Sequence, residues 1–548
     1  MISKFGELLG FGRGLQATNT TDPEGPPPFK LPFLEEIGAG IEYSRWFTKT
    51  YNVLLVGILV LLILKHQLRR QLFRKPEPAE IGPAHLHSDD DTKPLLGRRR
   101  KAHRWCLRLR GILAYQPPNV LNFESPPIST ILVLTAYYAL NLIYALYKVP
   151  FHRLKLFIVA DRLGCLFTAN LPLLYIAAAK LPLLRILTGW SYERINILHR
   201  AVGRVCILAA TAHVFGFFWV WYATLQANIT LRAYLLFPAI TYGLVAYVCY
   251  TILGLTSLEA FRARCYEVFL ALHVLLQAAC LVLLWFHHHN AHPYIYASLL
   301  IFIADRIWYR LLRASTRMHG TVRILPDAET MAITLRAPKS YIWSAGDHVF
   351  LVIPALELLH PHPFSILSVH TDSELRFLIR AQAGFSRRLL QDAEALGEKD
   401  VAAIVDGPYG SDEAGECAEA AEVLVGVAGG SGVAVVYPQL LEFAAGKKRA
   451  VFIWVVREAA HEKSWMPYGG LVRLRTMGVE VMVKVTAGAR GRPDIPALLE
   501  EIAEDAAGRR TGVIVCGPSG MVRDVRNTGA RLLRAGFDVD VVTEKFGW

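Results

Sequence analysis

The chain has 548 residues, 59 Lys and Arg against 46 Asp and Glu, a net charge of +13 and 53% hydrophobic residues. That length exceeds one ordinary domain, and that hydrophobic share excludes a disordered or fibrous chain. The apolar mass lies before about residue 312, so a membrane half followed by a soluble half is expected. Basic loops facing anionic lipid then account for the charge, and no nucleic-acid partner is needed.

Residues 1–50 read as an extracellular N-terminal segment. No cleaved signal peptide is expected, because the first apolar run starts near residue 51. Runs at 51–66, 127–148, 163–185, 199–221, 234–256, 267–287 and 294–311 approach or exceed the roughly 20 residues that cross roughly 30 Å of hydrocarbon. About seven spanning helices follow. The third contains Pro172 and Pro182, tolerable where neighbouring helices cover the freed backbone groups. The connection 67–126 contains RRQLFRK and GRRRKAHR, and RLLRASTR follows the last run. Short basic loops stay in the cytoplasm, so both belong there. Within that connection, 73–98 is rich in Pro and charge and reads as a flexible loop. The N-glycosylation sequons at Asn19 and Asn228 then both lie outside, as expected of a glycoprotein. The eight cysteines are scattered and form neither a disulfide framework nor a CxxC metal pattern.

The informative residues inside the apolar runs are histidines. His199 and His213 are fourteen residues apart in the fourth run, and His273 and His287 are fourteen apart in the sixth. At about 100° and 1.5 Å per residue, that spacing returns to within about 40° of one face and separates the members by about 21 Å. The two helices run in the same direction, so His199 lies level with His273 on the cytoplasmic side and His213 level with His287 on the outer side. This is the geometry for two iron porphyrins, each clamped by two imidazoles from different helices. Gly203 lies one turn after His199 and leaves room for a flat macrocycle; Arg200 and Arg204 are placed to meet its propionates. His287 is preferred over His288 and His289, which turn about 100° and 200° away. A single histidine in such a helix often only bonds a neighbour, but two pairs of equal spacing argue for metal ligation.

From residue 320 the pattern changes to strands with turn signals: TVRILP, MAITLRAP, HVFLVIP, LRFLIRAQ and then GPYG. These predict a small antiparallel barrel over 313–415. In 416–548, strands alternate with helices, which predicts a parallel doubly wound sheet. In EVLVGVAGGSGVAVVYPQLLEFA, glycines between strand and helix would let backbone N–H groups approach a pyrophosphate. Such a turn by itself is often only a tight connection.

Across about 125–548 the sequence resembles the ferric (metallo)reductases of the fungal plasma membrane, in the group that includes the NADPH oxidases. The resemblance rests on LHRAVGR with His213 beyond it, YEVFLALH, HPFS (362–365), GPYG, GGSG (429–432), CGP (516–518) and the terminal EKFGW. It implies a six-helix transmembrane domain over 127–312 that holds two haems, preceded by a first helix at 51–66. After it would come a ferredoxin-reductase-like cytosolic module with an FAD barrel and an NADPH domain. His362, Pro363, Phe364 and Ser365 look like the flavin motif, and Arg380, Gly384, Phe385 and Ser386 the segment receiving the FAD pyrophosphate, with Gly407 opening GPYG. Ser365 and Ser386 stand where the family commonly has Thr, and a hydroxyl is kept. Gly429, Gly430, Ser431 and Gly432 look like the NADPH pyrophosphate turn. Cys516, Gly517 and Pro518 look like the strand end near the nicotinamide, and Phe546 or Trp548 the aromatic that covers the flavin. Arg457 is a candidate contact for the 2′-phosphate.

The expected function is transmembrane electron transfer from cytosolic NADPH through FAD and two b-type haems to an acceptor outside. The acceptor expected is a ferric or cupric chelate, with the bilayer as the other partner. No residue is expected to act as a general acid or nucleophile. The alternatives are an NADPH oxidase that makes superoxide from dioxygen, and a scaffold that has lost its cofactors. The helix at 51–66 and the Trp ending favour the ferric reading, since the resembling oxidases usually lack that helix and end in Phe.

Overall fold

The computed structural model describes residues 32–73, 93–119, 124–149, 156–179, 183–190, 192–227, 229–307, 315–357, 360–382, 384–394, 398–466, 469–487 and 491–544. The chain divides into two compact units, one formed by 1–68 with 133–312 and the other by 69–132 with 313–548. Asn19, Asn228, Phe546 and Trp548 lie outside the described residues.

The first unit is helical. Its main helices are α1 (Pro32–Phe73), then, beyond a helix of the second unit, α2 (Lys93–Ala114), α3 (Ile128–Leu146), α4 (Leu156–Ala178), α5 (Tyr192–Val220), α6 (Pro238–Thr256), α7 (Tyr266–His287) and α8 (His292–Ile307). Among the described residues, six helices are long and apolar enough to cross a membrane, in α1 and α3 to α7. The expected seventh span at 294–311 corresponds to α8, of which sixteen residues are described. The third expected span, 163–185, forms instead over Leu156–Ala178. The apolar run extends backwards through Leu156 to Ala160, and Pro172 sits inside the helix.

These helices are tied together by polar side chains, the usual bond between helices that have no hydrophobic drive to associate in lipid. Arg162 of α4 is 1% exposed. It donates through Nε and Nη2 to Ser44 Oγ of α1 at 3.1 and 2.9 Å, and through Nη1 to the Tyr147 carbonyl. Tyr51 of α1 donates to Asn170 at 2.7 Å, and Tyr137 of α3 donates to the same oxygen at 2.8 Å. The α1 helix is thereby part of the bundle.

The second unit holds two sheets. A six-stranded antiparallel sheet, nearly closed into a barrel, has the order β4-β3-β6-β1-β2-β5. Its strands are β1 (Thr316–Ile324), β2 (Thr330–Arg336), β3 (His348–Val352), β4 (His362–Ser365), β5 (Glu374–Arg380) and β6 (Glu398–Tyr409). Alternating residues such as Met331, Ile333 and Leu335 of β2 are fully buried, the period-2 pattern of a one-sided strand. The helix α9 (Phe385–Glu394) follows β5. Beyond it lies a five-stranded parallel sheet of order β11-β10-β7-β8-β9, built from β7 (Val423–Gly429), β8 (Arg449–Val456), β9 (Glu480–Val485), β10 (Thr511–Cys516) and β11 (Val539–Glu544). The strand β10 is buried at every position, as expected where helices cover both faces. Those helices include α10 (Val433–Ala445), α11 (Ile495–Asp505) and α12 (Ser519–Ala535). Trp465 donates to Asp327 at 2.8 Å and Gln439 to the Ala345 carbonyl at 2.6 Å, which joins the two sheets.

Most of the flexible loop expected at 73–98 lies outside the described residues; from Lys93 the connection is helical. Its helix α2 packs along α12 so closely that a Cβ on Gly111 would lie 2.7 Å from the Ala530 carbonyl oxygen. Asn527 accepts from the Gln116 backbone N–H at 2.8 Å and donates back to the Gln116 carbonyl at 3.0 Å. Arg110 pairs with Asp538 at 3.2 Å.

Candidate functional site

The four membrane histidines meet in two pairs. The ring centres of His199 and His273 are 6.2 Å apart, and those of His213 and His287 are 6.1 Å apart. An imidazole nitrogen lies about 1.1 Å from its ring centre and a metal–imidazole bond is about 2.0 Å. Two imidazoles on opposite sides of one metal should therefore have centres about 6.2 Å apart. Both pairs match that separation.

The orientation of each ring is set from outside the pair. His199 Nδ1 is bonded to the Leu174 carbonyl at 3.0 Å, His213 Nδ1 to Ala160 at 2.7 Å and His287 Nδ1 to Ala239 at 2.7 Å. A carbonyl can only accept, so in these three histidines Nδ1 carries the proton and Nε2 keeps its lone pair, the tautomer of an oriented metal ligand. His273 Nδ1 lies 3.4 Å from Ser257 Oγ. A shared device exposes the carbonyls at the outer pair. Ala160 is followed four residues later by Gly164 and Ala239 by Gly243. A Cβ on either glycine would stand 2.6 Å from the histidine Nδ1. These AxxxG pairs escaped the sequence reading, although small residues four apart in an apolar helix are a recognisable sign of close approach.

Gly203 is open, with only Leu174 Cδ1 at 3.7 Å from a Cβ placed there, and Arg200 and Arg204 are exposed. A cavity of about 710 Å³ adjoins the His213/His287 pair, of the size that holds a cofactor. Arg45 and Lys49 of α1 line it along with Asp161, Tyr250 and His288. Arg45 pairs with Asp161 at 3.3 Å. Nothing in the sequence reading singled out these two residues. The His288 and His289 rings stack on each other, 4.7 Å apart, and take no part in the pairing. The residues present fit two bis-imidazole porphyrins.

In the barrel, HPFS forms β4, whose Phe364 and Ser365 face Val349 and His348 of β3 in the ladder. The His362 ring stacks on Phe385 at 4.1 Å. Glu357 takes His360 at 2.5 Å, His362 at 3.4 Å and Arg388 at 2.6 Å. Burial pushes the Glu357 carboxyl up, but the bonds from His360 and His362 outweigh it and hold the group below its usual range. Burial also holds the His362 imidazole below its usual range, against the pull of Glu357.

Arg380 pairs with Glu329 at 2.8 Å, and both are largely exposed, so the guanidinium can exchange that partner for a phosphate at little cost. Gly384 adopts φ +69 with open space around it, just before the N-terminus of α9. Ser386 Oγ accepts from the Gln382 N–H at 3.0 Å, and the Phe385 ring is buried. GPYG is the end of β6 rather than a free turn, and Gly407 has φ +151.

In the parallel sheet the two glycine motifs touch. Gly429 ends β7, and Gly430 to Gly432 form a single tight turn into α10. A Cβ on Gly432 would lie 2.3 Å from the Cys516 carbonyl oxygen, and one on Gly517 would lie 3.0 Å from Gly429. Trp454 Nε1 donates to the Gly430 carbonyl at 3.0 Å and fixes the turn. Cys516 is fully buried, and burial pushes its thiol up. It is therefore a packed, protonated side chain, and the nearby backbone is what the motif offers. Pro518 packs against the same turn, its Cδ 2.6 Å from where a Cβ on Gly429 would stand. Arg457 is exposed just beyond β8.

A bundle of helices long and apolar enough to cross a membrane is followed by a nearly closed antiparallel sheet and a five-stranded parallel sheet. Residues 163–284 match the ferric reductase like transmembrane component, 315–413 an FAD-binding domain and 473–530 the ferric reductase NAD binding domain. The chain carries this domain series, and fungal ferric reductases are its homologues. It is 26% identical over 354 residues to ferric reductase transmembrane component 1 of Schizosaccharomyces pombe, across 55% of this chain and 60% of that protein. It is 26% identical over 310 residues to ferric/cupric reductase transmembrane component 1 of Candida albicans, across 55% of this chain and 40% of that protein. To the probable cell surface ferric reductase kap2 of Aspergillus oryzae it is 29% identical over 312 residues, across 52% and 40%. The matches thus span about half the length of these relatives.

Proposed function

We propose that the chain carries electrons from cytosolic NADPH through FAD and two b-type haems to a ferric or cupric chelate on the other side of a membrane. The observation that carries the reading is the pair of imidazole separations, 6.2 and 6.1 Å, on two helices at two depths. When bound, the pyridine nucleotide supplies two electrons together, the flavin separates them and the iron centres carry one each.

The chain's own residues hold and orient these groups. His199 with His273, and His213 with His287, would ligate the two irons through Nε2, with Nδ1 held by carbonyls of α4 and α6 at three of the four. The β4 backbone with Ser365 would border the flavin ring, and Arg380 with the α9 N-terminus would hold its pyrophosphate. The Gly429–Gly432 turn would receive the nucleotide pyrophosphate, with Cys516, Gly517 and Pro518 beneath the nicotinamide. Arg457 would meet the 2′-phosphate and so favour NADPH over NADH. Phe546 or Trp548 would cover the flavin ring.

The α1 helix, which precedes the matched residues and lines the outer cavity, supports a metal chelate over dioxygen as the acceptor. The names of the relatives, ferric, ferric/cupric and cell surface, support the acceptor and a plasma-membrane location, while the basic loops at 67–126 and after the last apolar run support a cytosolic side for the flavin and nucleotide domains. The test is NADPH-driven reduction of a ferric chelate by cells expressing the chain, with and without superoxide dismutase. Reduction that is indifferent to dismutase is expected; abolition by dismutase would favour the oxidase reading.

A further inference from the structure

The α2 helix has two faces with different tasks. Leu107 is 2% exposed and Gly111 is buried, both against α12. On the opposite side Trp105 is 70% exposed, Leu109 45% and Ile112 48%. Those three positions follow the i, i+4, i+7 rule and fall within about 60° of one another around the axis. An apolar stripe of that kind containing Trp, on a helix that is itself well packed on its other side, is a surface left uncovered among the described residues.

Charge and tether say what covers it. Arg104 and Arg108 flank the stripe, both exposed and without an ion pair among the described residues. The sequence just before them is Arg98, Arg99, Arg100 and Lys101. The far end of the helix is pinned to a membrane span: Ile128, the first residue of α3, donates its backbone N–H to the Tyr115 carbonyl at 2.9 Å. Gln116 closes the same loop by donating to the Ser125 carbonyl at 2.8 Å. A basic amphipathic helix held at the entrance of a spanning helix has the composition of an interfacial membrane helix, and each nearby Lys or Arg is drawn to anionic headgroups.

We propose that α2 lies in the membrane–water interface. Trp105, Leu109 and Ile112 insert among the acyl chains, Arg104 and Arg108 meet anionic phospholipid headgroups, and the Gly111 face holds α12 of the nucleotide domain. The helix is then a strap that fastens the nucleotide domain to the bilayer. The proposal concerns lipid contact and stands whether or not the acceptor is a ferric chelate.

The test uses the full chain in nanodiscs of mixed phosphatidylcholine and phosphatidylserine. The exposed Cys106 and Cys265 are first replaced by serine, and a nitroxide label is placed by Ile112→Cys. A control label is placed by Val472→Cys, at an exposed apolar position of the second unit. At 112, dissolved oxygen should relax the label more strongly than a water-soluble nickel chelate, and at 472 the order should reverse. Omitting phosphatidylserine should move the 112 label outward. A label at 112 that behaves as at 472, or one shielded from both relaxants as by a protein partner, would overturn the proposal. An unchanged depth without phosphatidylserine would overturn its anionic-headgroup part.

Discussion

The imidazoles of His213 and His287 face each other at 6.1 Å, and each turns its Nδ1 to an alanine carbonyl 2.7 Å away on a separate helix. Four helices thus fix one pair: two supply the rings and two hold them. Ala160 with Gly164, and Ala239 with Gly243, make this possible, because a glycine four residues on leaves the carbonyl uncovered.

Gly164→Ala and Gly243→Ala should each unseat the outer pair, since the new Cβ would stand 2.6 Å from the ring nitrogen and the helix backbone cannot retreat. Overpacking of this kind costs about 1–3 kcal/mol. Each variant should lose close to half its haem by pyridine haemochrome assay while the signal of the inner pair persists. Unchanged haem content would show that the outer ring tolerates the displacement.

Gly432→Ala tests the nucleotide turn separately from the membrane. Its Cβ would collide with the Cys516 carbonyl, which pushes the turn away from the strand end. Flavin reduction by NADPH in a stopped-flow instrument should slow by about tenfold or more, equivalent to about 1.4 kcal/mol. The dithionite-reduced haem spectrum should be untouched.

Acid should weaken the barrel in two stages. The His362 ring is held below its usual value near 6.5, so as pH falls the unfolded chain takes that proton first and stability drops. Glu357 is held below its usual value near 4.5, so its contribution is present above that value and is lost as pH falls through the lower folded value. Thermal melting followed by flavin fluorescence should therefore fall from pH 7 towards pH 4. In Glu357→Gln the melting point should be lower at pH 7, and the steeper loss below 4.5 should disappear.

Arg162→Lys should destabilise the bundle although it keeps the charge. A lysine cannot reproduce the simultaneous approach of Nε and Nη2 to Ser44 and of Nη1 to Tyr147. Hydrogen bonds to a charged group contribute about 1.5–3 kcal/mol each, so detergent-solubilised Arg162→Lys should melt several degrees lower. Equal melting points would mean that α1 is held mainly by Tyr51 and its asparagine partners.

Side-chain pattern explains what the sequence disclosed. The fourteen-residue histidine spacing is a property of a regular helix, so it survives into the structure as two matched pairs. The strands of both sheets carry their burial pattern in their residues, alternating in β2 and continuous in β10. What stayed hidden depends on backbone atoms or distant partners. The Leu174, Ala160 and Ala239 carbonyls that orient the rings have no side-chain signature. The barrel order β4-β3-β6-β1-β2-β5 joins strands far apart in sequence, which local pattern does not encode. The α2 helix reads as a basic loop because its arginines outweigh Leu107 and Gly111, whose importance appears only when α12 lies against them. The helix α4 begins at Leu156, seven residues before the expected span, because the apolar run continues back across Asp161 and Arg162.

The most direct test of the account is a comparison of His213→Ala and His273→Ala, purified and reduced with dithionite. Each variant should lose the haem of its own pair and keep the other, so the two should give distinct b-type spectra of about half amplitude. A full two-haem spectrum in either variant would contradict it.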